Sequence, residues 1–201
     1  MLKRIFDIFF STIGLVILFP FFIIIGLLIV IDSRGGVFYK QARVGKNNKD
    51  FYLFKFRSMQ TGADKKGLLT IGGHDNRITH LGYFIRKYKI DELPQLLNVL
   101  FGDMSLVGPR PEVRKYVDLY DNDQKKVLSI KPGITDYASI EYRNENELLG
   151  KAENPEKIYI DEIMPAKLKL NLKYIAEQGI TTDFKIIFKT FGKIFSKKNK
   201  F

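Results

Sequence analysis

An α+β fold, mostly helical with a small β-hairpin and an apolar N-terminal arm, follows from three observations. About 24 almost purely apolar residues run from Ile8 to Ile31. Two short aromatic segments lie close together between Val37 and Met59 and favour strand. Helix-period apolar patterns dominate the rest and end in a basic amphipathic stretch. Residues 1–33 are expected to form a membrane segment, and residues 34–201 one domain with enough chain to bury a core.

The apolar arm is too long for a signal-peptide core and is expected to stay in the mature protein. As one straight helix it would reach about 36 Å, enough to cross a bilayer. Pro20 divides it into legs of about 18 Å, each too short to span. Lys3 and Arg4 precede the run, and Arg34, Lys40, Arg43 and Lys46 follow it. Basic flanks at both ends favour keeping both on the cytoplasmic side. The expectation is therefore a re-entrant helix–break–helix, with Pro20 as the membrane break and Ser11 and Thr12 helping to satisfy freed carbonyls. A plain kink in a spanning helix is the alternative.

Val37–Gln41 and Phe51–Phe56 are the predicted strands, with Gly45–Asp50 as the hairpin loop. Gln60–Ile78 is polar and Gly-rich and reads as a loop, and Thr79–Tyr88 as a helix. A helix starting at or just after Asp91 follows from Leu93, Leu96, Leu97 and Leu100, with Pro94 tolerated in its first turn. Val113 to about Ile130 reads as a solvated, mixed-charge helix. Thr182–Phe201 carries Phe184, Ile187, Phe188, Phe191, Ile194 and Phe195 on one face and lysines, Lys197, Lys198 and Lys200 among them, over much of the rest. That pattern suits a helix lying on an anionic membrane surface, or a helix docked on a core with its lysines solvated.

Lys and Arg number 33 against 22 Asp and Glu, a net charge of +11 that suggests a polyanionic partner. With no cysteine, disulfides and thiolate metal sites are excluded. His74 and His80 are the two histidines, so a zinc site would have to borrow carboxylates. The sequence has neither a Walker loop nor a dinucleotide glycine fingerprint.

Chemistry concentrates between Arg86 and Glu112. Asp91 and Glu92 adjoin a basic cluster of Arg86, Lys87 and Lys89. Arg110 stands between Pro109 and Pro111, which restrict its backbone and prepare its guanidinium for forked contact with phosphate or carboxylate. Gly102 and Gly108 offer turns that could fold this loop over the helix start. A carboxylate pair, arginines and turns suit phosphoryl transfer, although an Asp before a leucine run is commonly only an N-cap.

The run Asp91-Glu92-Leu93-Pro94-Gln95-Leu96-Leu97-Asn98-Val99-Leu100, with Gly102-Asp103-Met104-Ser105 and Val107-Gly108-Pro109-Arg110-Pro111, resembles the bacterial sugar transferases. These are monotopic phosphoglycosyl transferases that initiate glycan assembly on polyprenyl phosphate. Lys55-Phe56-Arg57-Ser58-Met59 and Lys131-Pro132-Gly133-Ile134-Thr135 are similar to the family's pattern too. The family commonly continues with glycine, Ala-Gln and Asn-Gly-Arg, where this chain has Asp136, Ala138-Ser139 and Glu141-Tyr142-Arg143. The family also commonly bends its membrane segment at Ser-Pro, where this chain has Phe19-Pro20.

The resemblance implies transfer of sugar-1-phosphate from a UDP-sugar to polyprenyl phosphate at the cytoplasmic face of the bacterial inner membrane, releasing UMP. Asp91 would be the nucleophile, and Glu92 would help position Mg²⁺ or the incoming polyprenyl phosphate, with Asp91 and Glu92 as metal ligands. Arg86, Arg110 and Arg143 would contact phosphate, while Glu145 and Glu147 are expected in a solvated loop. Anionic lipids are the other expected partner, and nucleic acid is not expected. A membrane-tethered nucleic-acid binder and a non-catalytic scaffold are the rival classes, but neither accounts for Asp-Glu beside Pro-Arg-Pro.

Overall fold

The computed structural model describes residues 1–63, 67 and 75–195. Helix α1 (Leu2–Asp32) takes up the apolar arm and continues through Pro20, so a single helical element stands where helix–break–helix was expected. Pro20 cannot donate to the carbonyl four residues earlier. Ser11 does not serve that carbonyl, because its hydroxyl donates to Ile8 O at 3.2 Å. Only 17% of the most apolar window is buried, unlike a core helix.

Both ends of α1 are nevertheless held by polar contacts. Lys3 pairs with Asp183, Arg4 donates to Leu100 O at 2.9 Å, and Asp7 accepts from Ser105 Oγ and Leu106 N, each at 3.0 Å. At the other end Asp32 accepts from Leu81 N at 3.1 Å, and Arg57 donates to Ser33 O at 2.7 Å. Ile25 and Ile29 pack there with Phe56 and Ile85.

The hairpin forms as expected from β1 (Phe38–Val44) and β2 (Asp50–Phe56), paired from Phe38 opposite Phe56 to Val44 opposite Asp50. Its turn uses Asn47 and Asn48 at positive φ, which asparagine tolerates better than most residues. Helix α2 (His80–Lys87) is capped by the Thr79 side chain, which accepts from Gly82 N at 3.0 Å. Helix α3 (Gln95–Phe101) is tied to β2 by fully buried Asn98, which accepts from Phe54 N at 2.9 Å and donates to Tyr52 O at 2.7 Å. Gly102 ends α3 at φ 99°, the left-handed conformation that glycine adopts at least cost.

A second, parallel pair was not expected: β3 (Ser105–Val107) lies beside β4 (Gly133–Thr135). Three-residue strands are too short to show an alternation pattern. Gly108 is no left-handed turn here. It permits a close crossing, since a Cβ on Gly133 would fall 2.0 Å from Gly108 N.

The helix expected over Val113–Ile130 is overturned. The chain forms α4 (Arg114–Val117), then a turn, then a 3₁₀ stretch from Gln124 to Ser129. Asp121 Oδ1 accepts from Gln124 N at 2.8 Å, and Gln124 Oε1 accepts from Asp121 N at 3.1 Å. Side chains that satisfy the backbone locally compete with a continuous helix.

Further on lie α5 (Tyr137–Glu141), α6 (Glu145–Leu149) and α7 (Pro155–Ile158), which runs through a π-helical turn into α8 (Met164–Glu177). Glu145 belongs to α6 and pairs with Lys167 at 2.7 Å, not to a solvated loop. The largest apolar cluster joins Val44, Tyr116, Val117, Leu149, Tyr159 and Leu168. In α9 (Ile180–Phe195), Asp183 and Ile186 are buried while Phe184, Phe188 and Phe191 are exposed. Most of the expected Gln60–Ile78 loop, His74 and the tail with Lys197, Lys198 and Lys200 lie outside the described residues.

Glu112 ties three of these elements together. It accepts from Arg43 Nη1 at 3.0 Å, from Val113 N at 2.8 Å and from the Tyr159 hydroxyl. Burial pushes its carboxyl up, but Arg43, Lys167 and these hydrogen bonds outweigh that and hold it below the ordinary 4.5. A depressed carboxyl stabilises the fold above its unfolded pKa and loses that contribution as pH falls through the folded value. Glu112→Gln should cost about 3 kcal/mol at pH 7. Urea unfolding is expected to show the gap between variant and parent shrinking below about pH 4.5.

Candidate active site

The chain leaves α2 through Lys89, a non-glycine residue at φ 58°, and enters a 3₁₀ turn over Ile90–Glu92. The α-helical hydrogen bonding of α3 starts only at Gln95, with Pro94 in the capping position. Asp91 is therefore not the N-cap of α3. Its ionisation is governed by burial and then by neighbouring charges.

Those neighbours divide the carboxylate pair. Arg110 grips Glu92 with both terminal nitrogens, Nη1 at 3.1 Å from Oε2 and Nη2 on Oε1. Lys55 Nζ lies 3.8 Å from the same Oε1. Burial opposes the Glu92 charge, but Arg110, Lys89 and Lys55 outweigh it and hold the carboxyl well below the ordinary value. Asp91 is 4% exposed, and its Oδ1 is buried without a hydrogen-bond partner. Burial and the Glu92 charge raise its carboxyl pKa, against the pull of Lys55, Arg86 and Lys89. Two adjacent carboxylates thus differ in kind: one is locked in a fork, and one has a free oxygen.

Arg86, in the last turn of α2, is close enough to Asp91 to favour its ionised form. Arg110 is steadied from behind, its backbone N–H reaching Asp136 Oδ2 at 3.3 Å. Arg143 makes a contact to α9, its guanidinium donating to Lys193 O. Sequence reasoning missed two residues. Lys55 shares a strand face with buried Leu53, and a charge at that i+2 position was the available signal. Asp136 had only its cap spacing, three residues before Ser139, whose N–H it receives at 2.6 Å.

A family model described as bacterial sugar transferase matches residues 1–197. The chain belongs to the bacterial sugar transferase family. It is 39% identical over 196 residues to an exopolysaccharide production protein of Rhizobium leguminosarum, covering 94% of this chain and 92% of that one. It is 36% identical over 196 residues to the UDP-N-acetylgalactosamine-undecaprenyl-phosphate N-acetylgalactosaminephosphotransferase of Aeromonas hydrophila, covering 96% of this chain and 43% of that one. It is 35% identical over 202 residues to the UDP-glucose:undecaprenyl-phosphate glucose-1-phosphate transferase of Escherichia coli strain K12, covering 98% of this chain and 41% of that one. The chain thus spans less than half the length of the Aeromonas and Escherichia relatives. As a bacterial sugar transferase it is an enzyme, and the carboxylate pair is its candidate centre.

Among the described residues no group of three or more His, Cys, Asp or Glu could enclose a metal. The orphan oxygen of Asp91 nevertheless fits Mg²⁺, which is commonly held by one or two carboxylates and otherwise by substrate phosphates and water. Glu92 could join it through a lone pair that the Arg110 fork leaves free, with the guanidinium charge opposing a cation there.

A raised Asp91 carboxyl weighs against folding once pH exceeds the unfolded value of 3.8, and fully above the raised folded value. Asp91→Asn keeps the volume and removes the buried charge. Thermal unfolding at pH 7 should show a Tm higher by about 2–4 °C, the shift that about 1 kcal/mol produces in a chain of this size. The gain should vanish below about pH 3.8, where the parent carboxyl is protonated in both states.

Proposed function

We propose that this sugar transferase moves sugar-1-phosphate from a UDP-sugar to polyprenyl phosphate in two displacements at Asp91. The observation that carries this reading is the free, buried oxygen of Asp91 beside a Glu92 already committed to Arg110. A nucleophile needs electron density that is not already drawn onto a cation, and the Arg110 fork draws on both Glu92 oxygens. The names of the Aeromonas and Escherichia relatives support the donor and acceptor classes.

In the first step an Asp91 carboxylate oxygen bonds to the phosphorus that bears the sugar. The bond from that phosphorus to the UMP oxygen breaks, and UMP leaves with the electron pair. In the second step a polyprenyl phosphate oxygen attacks the same phosphorus, and the Asp91 carboxylate departs. Lys55, Arg86 and Arg110 surround the pair with positive charge suited to the phosphoryl oxygens. Burial holds the Lys55 ammonium down to about 8, so it loses its proton, and that support, as pH rises through 8. Bound Mg²⁺ would neutralise diphosphate charge. Arg143, which also donates to Lys193 O, is the further phosphate contact in this reading.

The same proposal places α1 in one leaflet of the cytoplasmic membrane, with both ends on the catalytic side. Lys3, Arg4 and Asp7 at one end and Asp32 at the other bind one catalytic domain, so a spanning α1 would have to surrender one set of contacts. Pro20 then serves as a bend within a continuous helix. The exposed phenylalanines of α9 extend this surface, with Phe184 edge-on to Phe6 at 5.1 Å.

Asp91→Asn should abolish both UMP release and capture of a radiolabelled phosphosugar on the protein, while Arg110→Lys should lose at least 100-fold in rate, about 2.7 kcal/mol. Near-normal turnover by Asp91→Asn would remove it as nucleophile. Topology can be read separately, because the native chain has no cysteine. Leu2→Cys and, in a second protein, Asn47→Cys should both resist an impermeant thiol reagent in intact cells and react after permeabilisation. Labelling of position 2 from outside would establish a spanning helix.

A further inference from the structure

Behind Arg110 lies a cavity of about 170 Å³ with no part in the chemistry above. Arg110 belongs to both places, since its guanidinium holds Glu92 while the residue also lines the cavity. Tyr116, Tyr120, Tyr159, Lys167 and Asn171 form much of the remaining wall. A cavity of about 150 Å³ holds one benzene molecule, so this one takes the ring of a single sugar, with the ring's substituents reaching its open side.

The wall is polar but electrically balanced. Arg43 is paired with Glu112 at 3.0 Å, Lys167 with Glu145 at 2.7 Å, and Arg110 with Glu92. A phosphate placed here would meet two carboxylates and no uncommitted cation among these three. A neutral guest with hydroxyl groups meets no such conflict. Asn171 is 5% exposed, and its Oδ1 is buried without a partner, an acceptor awaiting an N–H or O–H. Tyr116 and Tyr159, with ring centroids 4.9 Å apart, add apolar surface suited to the C–H face of a pyranose.

We propose that this cavity receives the sugar ring of the nucleotide-sugar donor, with the Asn171 amide turning from the wall so that its Oδ1 accepts a hydrogen bond from one of the hydroxyls. The inference rests on the donor class proposed above and assigns the part of the protein that selects the sugar. Position favours the sugar over the base. The sugar is bonded to the phosphate that reacts, whereas uracil is separated from it by a ribose and a second phosphate. Chemistry favours it too: the unmet group is an acceptor, and sugar hydroxyls supply several donors where uracil supplies one.

The test compares the parent with Asn171→Leu, which is close in volume and removes both polar atoms. Asn171→Ser replaces it should the leucine variant fail to fold. UMP release is measured with UDP-glucose, UDP-galactose, UDP-N-acetylglucosamine and UDP-N-acetylgalactosamine, each with undecaprenyl phosphate and Mg²⁺. Affinity for UMP and UDP is measured in parallel by calorimetry. The expected result is a KM for the preferred donor raised at least 10-fold and a preference among the four reduced by a similar factor. UMP and UDP affinities, and thermal stability, should not fall. An unchanged preference with an active parent would overturn the sugar assignment and leave the proposed function standing. Weakened UMP and UDP binding with the preference intact would overturn it in favour of the base. A parent inactive on all four donors while active on a nucleotide sugar with another base would overturn the donor reading, and this inference with it.

Discussion

The fork between Arg110 and Glu92 is the interaction on which the site depends, and much of the nearby architecture exists to hold it. Glu92 arrives from a tight turn after α2, and Arg110 from the far side of the parallel strand pair. For the two to meet, the chain after β3 must pass closely over the start of β4. Gly108 and Gly133 allow this, with Gly133 N donating to Pro109 O at 2.9 Å and Gly108 N to Thr135 O at 3.0 Å. Asp136 then receives the Arg110 N–H, and the flanking prolines limit what the backbone can do next. A long cationic side chain is fixed by its backbone before its guanidinium makes any contact.

Once Glu92 is committed, the fate of Asp91 follows. Arg110 turns both terminal nitrogens onto Glu92, and Asp91 Oδ1 is left without a hydrogen-bond partner. Asp91 keeps a free oxygen in a place from which water is largely excluded, a costly arrangement for a stable fold and a useful one for a nucleophile. Lys55 bears the complementary strain, its ammonium brought down to about 8 by burial although Glu92 supports it. The charges of the centre are mutually dependent, so removing one disturbs the ionisation of the others.

Much of this was legible in the residues, and what was missed has definite causes. The hairpin showed itself through aromatic strands around an Asn-rich turn, and the carboxylate pair that Arg110 meets through Asp91-Glu92 and Pro109-Arg110-Pro111. The parallel pair escaped because three residues per strand leave no period, and its signal lies in two glycines far apart in the chain. The Val113–Ile130 helix failed because mixed charge looks the same on a solvated helix and on a capped turn, and Asp121 and Gln124 decide between them only by facing each other. Residues 144–181 carried no motif, yet α8 supplies Asn171 to the cavity. Packing placed it there, and packing among distant segments is what one sequence least reveals.

Helix α3 joins the turn that carries the carboxylate pair to the apolar N-terminal helix. It begins just after Glu92, and Asn98 binds it to β2, the strand that carries Lys55. Along its length it meets α1 so closely that a Cβ on Gly14 would lie 3.2 Å from Leu96 Cδ1. Its C-terminal carbonyls are held by Arg4, and the next strand is held by Asp7. The depth of the carboxylate pair relative to the apolar surface is therefore set by packed helices rather than by a linker. On the function proposed above, a flexible tether would raise the local concentration of the polyprenyl acceptor but leave its phosphate at variable distance from Asp91. A rigid one would also fix that distance, which is where positioning would have its largest effect on the proposed displacement at phosphorus.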